Sequence, residues 1–168
     1  TTEGRAAAIA SLSIPVQRSE DSAVPAHKIA PLHANDILQS VFTVPIESKE
    51  LPERYVITIS RLGMIKRSLV EELPGVSASD FVLAKINADD ELFQVLISDG
   101  KQDVLIATAN GMCIRFSEDD VRPMGLVAAG VNAIKLKEGD YIVGAALLSE
   151  KDEVGLLTRL GSAKRVPS

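Results

Sequence analysis

A pattern of twelve residues occurs three times in this 168-residue chain, with copies close to fifty residues apart. Val56-Ile57-Thr58-Ile59-Ser60-Arg61-Leu62-Gly63-Met64-Ile65-Lys66-Arg67 is matched by residues 104–115 and again by residues 154–165. Each copy reads as an apolar strand, a polar residue or two, a glycine, a second strand and a basic residue. Gly63, Gly111 and Gly161 lie 48 and 50 positions apart. A fixed period of this length signals a repeat architecture, in which no unit can bury its apolar face without stacking on a neighbour.

A second landmark keeps the same period. An apolar residue, an aspartate four positions on and an apolar residue two further recur as Leu32…Asp36…Leu38, Ile86…Asp90…Leu92 and Leu136…Asp140…Ile142. Gly4-Arg5 then reads as the hairpin glycine of an earlier unit, and the last unit stops soon after its second strand begins. The expected organisation is a partial blade over 1–52, complete blades over 53–102 and 103–151, and the start of a further blade over 152–168. All four belong to one domain, which reads as a fragment of something longer or a shortened relative of it.

Composition narrows the fold further. Hydrophobic residues make up 46% of the chain but aromatics only 4%, so the core must be built from Val, Ile, Leu and Ala. No apolar run approaches the length needed to span a bilayer, and no secretory signal is visible at the N-terminus. Cys113 is the single cysteine, which excludes an intrachain disulfide and suits a reducing cytoplasm. The net charge is −5, and each of the first three units is mildly acidic: 4 bases against 6 acids, 6 against 8, and 5 against 7. A nucleic-acid binder usually carries a basic surplus. Any such function must therefore rest on local clustering of cations.

Residues 56–60, 104–108 and 154–158 are short, mostly apolar and bounded by turn signals, as buried central strands are. Arg61-Leu62-Gly63, Ala109-Asn110-Gly111 and Arg159-Leu160-Gly161 read as tight hairpin turns. A less regular stretch follows each returning strand. Residues 133–136 are expected to form a third strand and 142–148 a fourth, joined by polar turns such as Lys137-Glu138-Gly139-Asp140. About four strands per fifty residues is the signature of a propeller-like blade. Residues 15–31 combine prolines, serine and charge as a mobile surface loop would. Leu51-Pro52-Glu53-Arg54 marks the boundary between the first two units.

Three segments carry a family resemblance: Gly111-Met112-Cys113-Ile114-Arg115-Phe116, Val121-Arg122-Pro123-Met124-Gly125, and the stretch from Gly130 to Gly139-Asp140. Together they resemble one repeat of the C-terminal domain of DNA gyrase A subunits, and the Gly-x-x-Lys-Arg pattern of Gly63 and Gly161 recurs in that family. The equivalent chain of topoisomerase IV carries related repeats. The resemblance implies an all-β, partial β-pinwheel of four-stranded blades that exchange a strand between neighbours. It also implies a rim that binds and wraps double-stranded DNA in support of supercoiling, in a bacterial, cytoplasmic enzyme. The partners so implied are DNA, the gyrase B subunit, plus the rest of the gyrase A subunit, with no membrane. The family's ATP and Mg²⁺ are expected on other domains, with no cofactor in this chain. Neither the family's basic, glycine-rich box nor its catalytic tyrosine is matched here, since Tyr55 opens a strand and Tyr141 follows the unit aspartate.

A wheel that bends DNA must neutralise phosphates along an arc, and cations recurring at one blade position would do so at regular spacing. Lys66, Arg67, Arg115, Lys164 and Arg165 occupy such a place just after the hairpin, and Arg61 and Arg159 lie in the turns. In the first unit the corresponding positions are Ala7 and Ala8. Taken singly, each of these cations is better explained as a solvated edge residue that discourages strand pairing, and it is recurrence at one blade position together with the resemblance that favours DNA contact for the Lys-Arg pairs. Arg122 has two readings: a rim contact, or a partner of Glu118 or Asp119 that orders its own loop. The aspartates read as turn residues accepting backbone hydrogen bonds. Asp89-Asp90-Glu91 and Glu118-Asp119-Asp120 read as solvated turns rather than metal sites, with Ser117 as a helix N-cap. His27 and His33 have no nucleophile motif near them, Cys113 reads as an inert buried thiol, and no catalytic or metal-ligating residue is assigned. A protein-binding scaffold is the competing function, favoured by the acidic balance and by open blade edges. An enzyme in its own right comes third.

Overall fold

One hairpin turn is built four times over among the described residues. Gly63, Gly111 and Gly161 hold φ values of 88°, 79° and 86°, and Gly4 holds 76°. An L-side chain is strained in that region, so glycine is required. Three residues before each glycine stands a hydroxyl that caps the turn. Thr1 Oγ1 accepts from Arg5 N at 3.3 Å, Ser60 Oγ from Met64 N at 3.0 Å, Thr108 Oγ1 from Met112 N at 3.2 Å and Thr158 Oγ1 from Ser162 N at 3.0 Å.

The computed structural model describes residues 1–16, 23–44 and 53–167. Among them eleven strands run in chain order: β1 (Arg5–Ala6), β2 (Tyr55–Ser60), β3 (Met64–Leu69), β4 (Phe81–Val82), β5 (Leu92–Ser98) and β6 (Asp103–Thr108). They continue as β7 (Cys113–Ser117), β8 (Val131–Asn132), β9 (Ile142–Leu148), β10 (Glu153–Leu157) and β11 (Ala163–Pro167). Helical structure among the described residues is limited to single 3₁₀ turns such as Val70–Glu72 and Glu118–Asp120. The expected mobile stretch over 15–31 lies partly outside the described residues, and its described end contains the turn Ala26–Lys28. The expected boundary at 51–54 likewise falls partly outside them.

All strand pairs among the described residues are antiparallel, and a sheet does not coincide with a repeat. The best-formed sheet has the order β5-β2-β3-β8. Its first three strands come from one repeat, while β8 comes from the next. Val131 pairs with Ile65 and Asn132 with Met64. The same exchange joins β4 to β1, with Arg5 opposite Val82 and Ala6 opposite Phe81. Repeats are therefore stitched together by backbone hydrogen bonds as well as by packing. The sheet β7-β6-β9 shows the same three-strand arrangement, with a bulge between Ala107 and Thr108 that matches the one between Ile59 and Ser60.

The third strand differs from the expectation of residues 133–136. It is the two-residue β8, and its ladder runs to the preceding repeat instead of its own. After Asn132 the amide of Ala133 donates to Gly63 O at 2.9 Å and pairing ends. Ala133, Ile134 and Leu136 then pack on a core of Ile57, Ile59, Ile65, Val104, Ile106, Val121 and Ile142. Their apolar spacing reflects that packing and not a ladder. The core draws on two repeats at once, and burying each such aliphatic side chain contributes about 1.5–3 kcal/mol.

The two sequence landmarks turn out to touch. Asp90 Oδ1 accepts from the hairpin amide of Leu62 at 2.9 Å and from Glu91 N at 2.8 Å. Asp140 Oδ1 does the same for Asn110 N and Tyr141 N, both at 3.0 Å. The shared period of glycine and aspartate thus has a physical cause in the two complete repeats, where Asp90 and Asp140 each pin the hairpin of their own repeat.

Gly130 controls the exchange. Its φ is +96°, and a Cβ there would collide with the Ile65 carbonyl oxygen. Gly130→Ala should therefore destabilise the chain by about 2 kcal/mol or more in urea denaturation. Gly155→Ala, which meets nothing within 4 Å, should change stability far less.

Candidate nucleic-acid interface

Lys66 and Arg67 do not present their charge to solvent. Their relative exposures are 1% and 4%, so the expectation that this pair contacts a ligand directly is corrected. β3 carries them into the seam where the next repeat covers the sheet. Lys66 Nζ donates to Leu83 O at 2.6 Å and to Leu126 O at 2.5 Å, one carbonyl from each repeat. Burial pushes the Lys66 ammonium down to about 8, with Glu72 opposing the shift weakly.

Arg67 lies 3.8 Å over the Tyr55 ring and reaches into the next repeat. Its Nη1 donates to Glu118 O and to Asp119 Oδ1, both at 2.9 Å, and its Nε lies 3.7 Å from the buried Glu118 carboxylate. Glu118 is itself held by the Ser98 hydroxyl and by Gln102 N at 2.8 Å. The acids read as a solvated turn are thus partly a buried clasp. Ser117 Oγ accepts from Asp119 N at 3.3 Å, as expected of a cap.

The equivalent cations of the later repeats are exposed, and carboxylates neutralise the two arginines among them. Arg115 Nε pairs with Asp103 Oδ2 at 2.7 Å and Arg165 Nε with Glu153 Oε2 at 3.1 Å. Asp103, Glu153 and Tyr55 all stand eight residues before their hairpin glycine, so one blade position supplies the partner each time. Arg61 is a strut between repeats. Its guanidinium lies 4.5 Å from the Phe93 ring and 5.6 Å from the Tyr141 ring. It also binds Glu91 Oε1 at 2.9 Å and the Ile142 carbonyl at 3.0 Å.

Arg122, Arg159 and Lys164 are exposed, and their side chains make no ion pair or hydrogen bond among the described residues. Arg122 therefore does not order its loop through Glu118 or Asp119, because Arg67 occupies those groups. Exposed cations also lie outside the set expected from sequence, among them Lys28, Lys85, Lys101, Lys135, Lys137 and Lys151. Lys85 and Lys135 each stand five residues before the repeat's aspartate. That shared offset is the signal that could have found them, but it is counted from the aspartate and not from the hairpin glycine.

Conventional chemistry finds no constellation. No group of three or more His, Cys, Asp or Glu among the described residues could hold a metal. Cys113 is exposed, contrary to the expected buried thiol, because β7 is the outer strand of its sheet. The amide of His33 donates to Asp36 Oδ2 at 2.9 Å, which makes it part of a turn. Among the described residues no helix is long and apolar enough to cross a membrane.

Because the folded state lowers the Lys66 pKa, the unfolded chain binds more protons between about pH 8 and the ordinary lysine value. Stability should rise with pH across that window, by at most about 3 kcal/mol. Lys66→Met should flatten this part of the profile, read as the difference between the two urea-denaturation curves from about pH 7.5 to about pH 10.5.

A family model described as the DNA gyrase C-terminal domain, a β-propeller, matches residues 54–99 and again residues 102–149. The DNA gyrase A subunit of Staphylococcus epidermidis is 31% identical over 99% of this chain, and that of Staphylococcus aureus is 28% identical over the same share. The chain spans 19% of the length of these relatives. Among solved structures, the C-terminal domain of DNA topoisomerase IV superposes with a TM-score of 0.67 at 32% identity, covering 74% of this chain and 39% of that one. A DNA gyrase A C-terminal domain superposes with a TM-score of 0.60 at 25% identity, covering 70% and 39%.

Proposed function

The chain belongs to the DNA gyrase C-terminal β-propeller family, and from that premise we propose that it is a DNA-wrapping module of a type IIA topoisomerase. One observation carries the reading: the family match falls on two consecutive repeats that exchange a strand in the same way. Repeats joined so rigidly hold equivalent surface positions at a constant interval, which is what a curved phosphate track needs. Bending a site of about 20–30 base pairs costs about 1–6 kcal/mol, so several contacts along an arc must act together.

In this reading the chain performs no chemistry. Arg122, Arg159 and Lys164 are the free cations of the originally expected set, available to meet phosphates. Arg115 and Arg165 can do so only by leaving their carboxylates. Lys66, Arg67 and Arg61 act indirectly, by fixing one repeat against the next. Such contacts carry no base code, and preference among sequences arises from DNA deformability. The parent would be a cytoplasmic, bacterial DNA gyrase, with this chain part of its A subunit, and with the B subunit for a partner. ATP and Mg²⁺ would be held by other domains, where they drive strand passage. Whole-chain relatives named as gyrase A subunits favour gyrase over topoisomerase IV.

Duplex binding should weaken steeply as salt rises from about 50 to about 200 mM, and a duplex long enough to bend should bind more tightly than a short one. Affinity insensitive to salt and equal for both lengths would favour a protein-binding scaffold instead.

A further inference from the structure

We propose that Lys85 and Lys135, one per complete repeat, are principal phosphate contacts of this chain, in place of Lys66, Arg67, Arg115 and Arg165 after the hairpins. The inference rests on the DNA-wrapping reading and adds the residues that carry it. Four observations lead there.

First, the two lysines are equivalent. Each stands five residues before its repeat's aspartate and three residues after a two-residue exchanged strand, β4 for Lys85 and β8 for Lys135. Second, both are exposed, and neither makes an ion pair or side-chain hydrogen bond among the described residues. Four of the five post-hairpin cations contrast with them, Lys164 being the exposed and unpaired exception among the described residues. Lys66 and Arg67 are buried, Arg115 is paired with Asp103, and Arg165 with Glu153.

Third, the exchanged strand is the outermost in its sheet, next to β3 in the order β5-β2-β3-β8. A residue just beyond it leaves the seam between two repeats at the sheet's edge. Fourth, the backbone there is fixed while the side chain is left free. Lys85 N donates to Ala128 O of the next repeat at 3.3 Å, and Leu83 O is held by Lys66. Ala133 N is likewise held by Gly63 O at 2.9 Å. A cation on an anchored backbone gives up less freedom when it meets a phosphate than one on a loose loop. The loop that supplies Ala128 also bears Arg122, so Lys85 and Arg122 lie on adjoining segments across the same seam.

The strand exchange relates one repeat to the next by the same operation. Lys85 and Lys135 therefore repeat at the blade interval, and a duplex following the edge would meet one lysine per repeat. In the first repeat the equivalent position is Pro31, so the track weakens there.

The test is duplex binding by this chain, with a duplex of about 150 base pairs, one persistence length, across the same salt range. Lys85→Ala combined with Lys135→Ala should reduce the slope of log affinity against log salt by about 2. Affinity at about 50 mM salt should fall at least tenfold on two unrelated sequences, with an unchanged thermal midpoint. Lys85→Arg with Lys135→Arg should restore the slope. Arg115→Ala with Arg165→Ala should leave it within about 0.5 of the parent. A parent that binds DNA while the double alanine variant keeps its slope and affinity within twofold would overturn the proposal and leave the wrapping reading standing. A parent showing no salt-dependent binding would overturn both.

Discussion

An ammonium group buried between two repeats sets the terms for the rest of this structure. Lys66 brings three donors into a place with almost no water, and such a charge persists only where acceptors are provided. The acceptors are the carbonyls of Leu83 and Leu126, which come from consecutive repeats. The cation is satisfied only when the following repeat is seated. That seating in turn demands the exchanged β8, the positive φ of Gly130 and the turn that carries Leu126. Arg67, with Glu118 and Asp119, applies the same logic one residue along. Hydrophobic burial makes the blades stack, while these directed contacts choose the register.

This economy of charge fits the proposed DNA-wrapping reading to a chain that is acidic overall. Of the basic residues that recur after the hairpins, one pair is spent on joining repeats, and Arg115 and Arg165 are offset by carboxylates on the adjoining strand. What remains free is a smaller set at the seams and loops. In the proposed DNA-wrapping reading, a surface so arranged would attract phosphates locally without a strong overall field, and its affinity would depend on how many blades a duplex reaches at once.

Much of the fold was legible beforehand because it is governed by local rules. The hairpin glycines, the strands on either side and the fourth strand Ile142–Leu148 follow from turn chemistry and apolar patterning. The aspartates were read as turn residues, and they are. The third strand was misplaced because residues 133–136 are apolar for the sake of the core, whereas Val131 and Asn132, with little pattern of their own, make the ladder. A ladder contributed by a neighbouring repeat leaves no periodic trace in either segment. Cys113 was misjudged for a related reason: strand patterning does not say which strand stands at the sheet's edge.

The candidate interface was less legible. Residue type and recurrence located cations but could not say which were solvated, since Lys66 and Lys164 occupy the same repeat position with opposite exposures. By itself the sequence determined a repeat of hairpin-based blades, its period and the family. Each of these depends on contacts between residues near in the chain or on positions that recur. Only the tertiary structure decided which charges face outward. Burial and ion pairing are set by what the next repeat lays over a side chain, as Glu118 and Leu126 do over Arg67 and Lys66, and no local pattern encodes that.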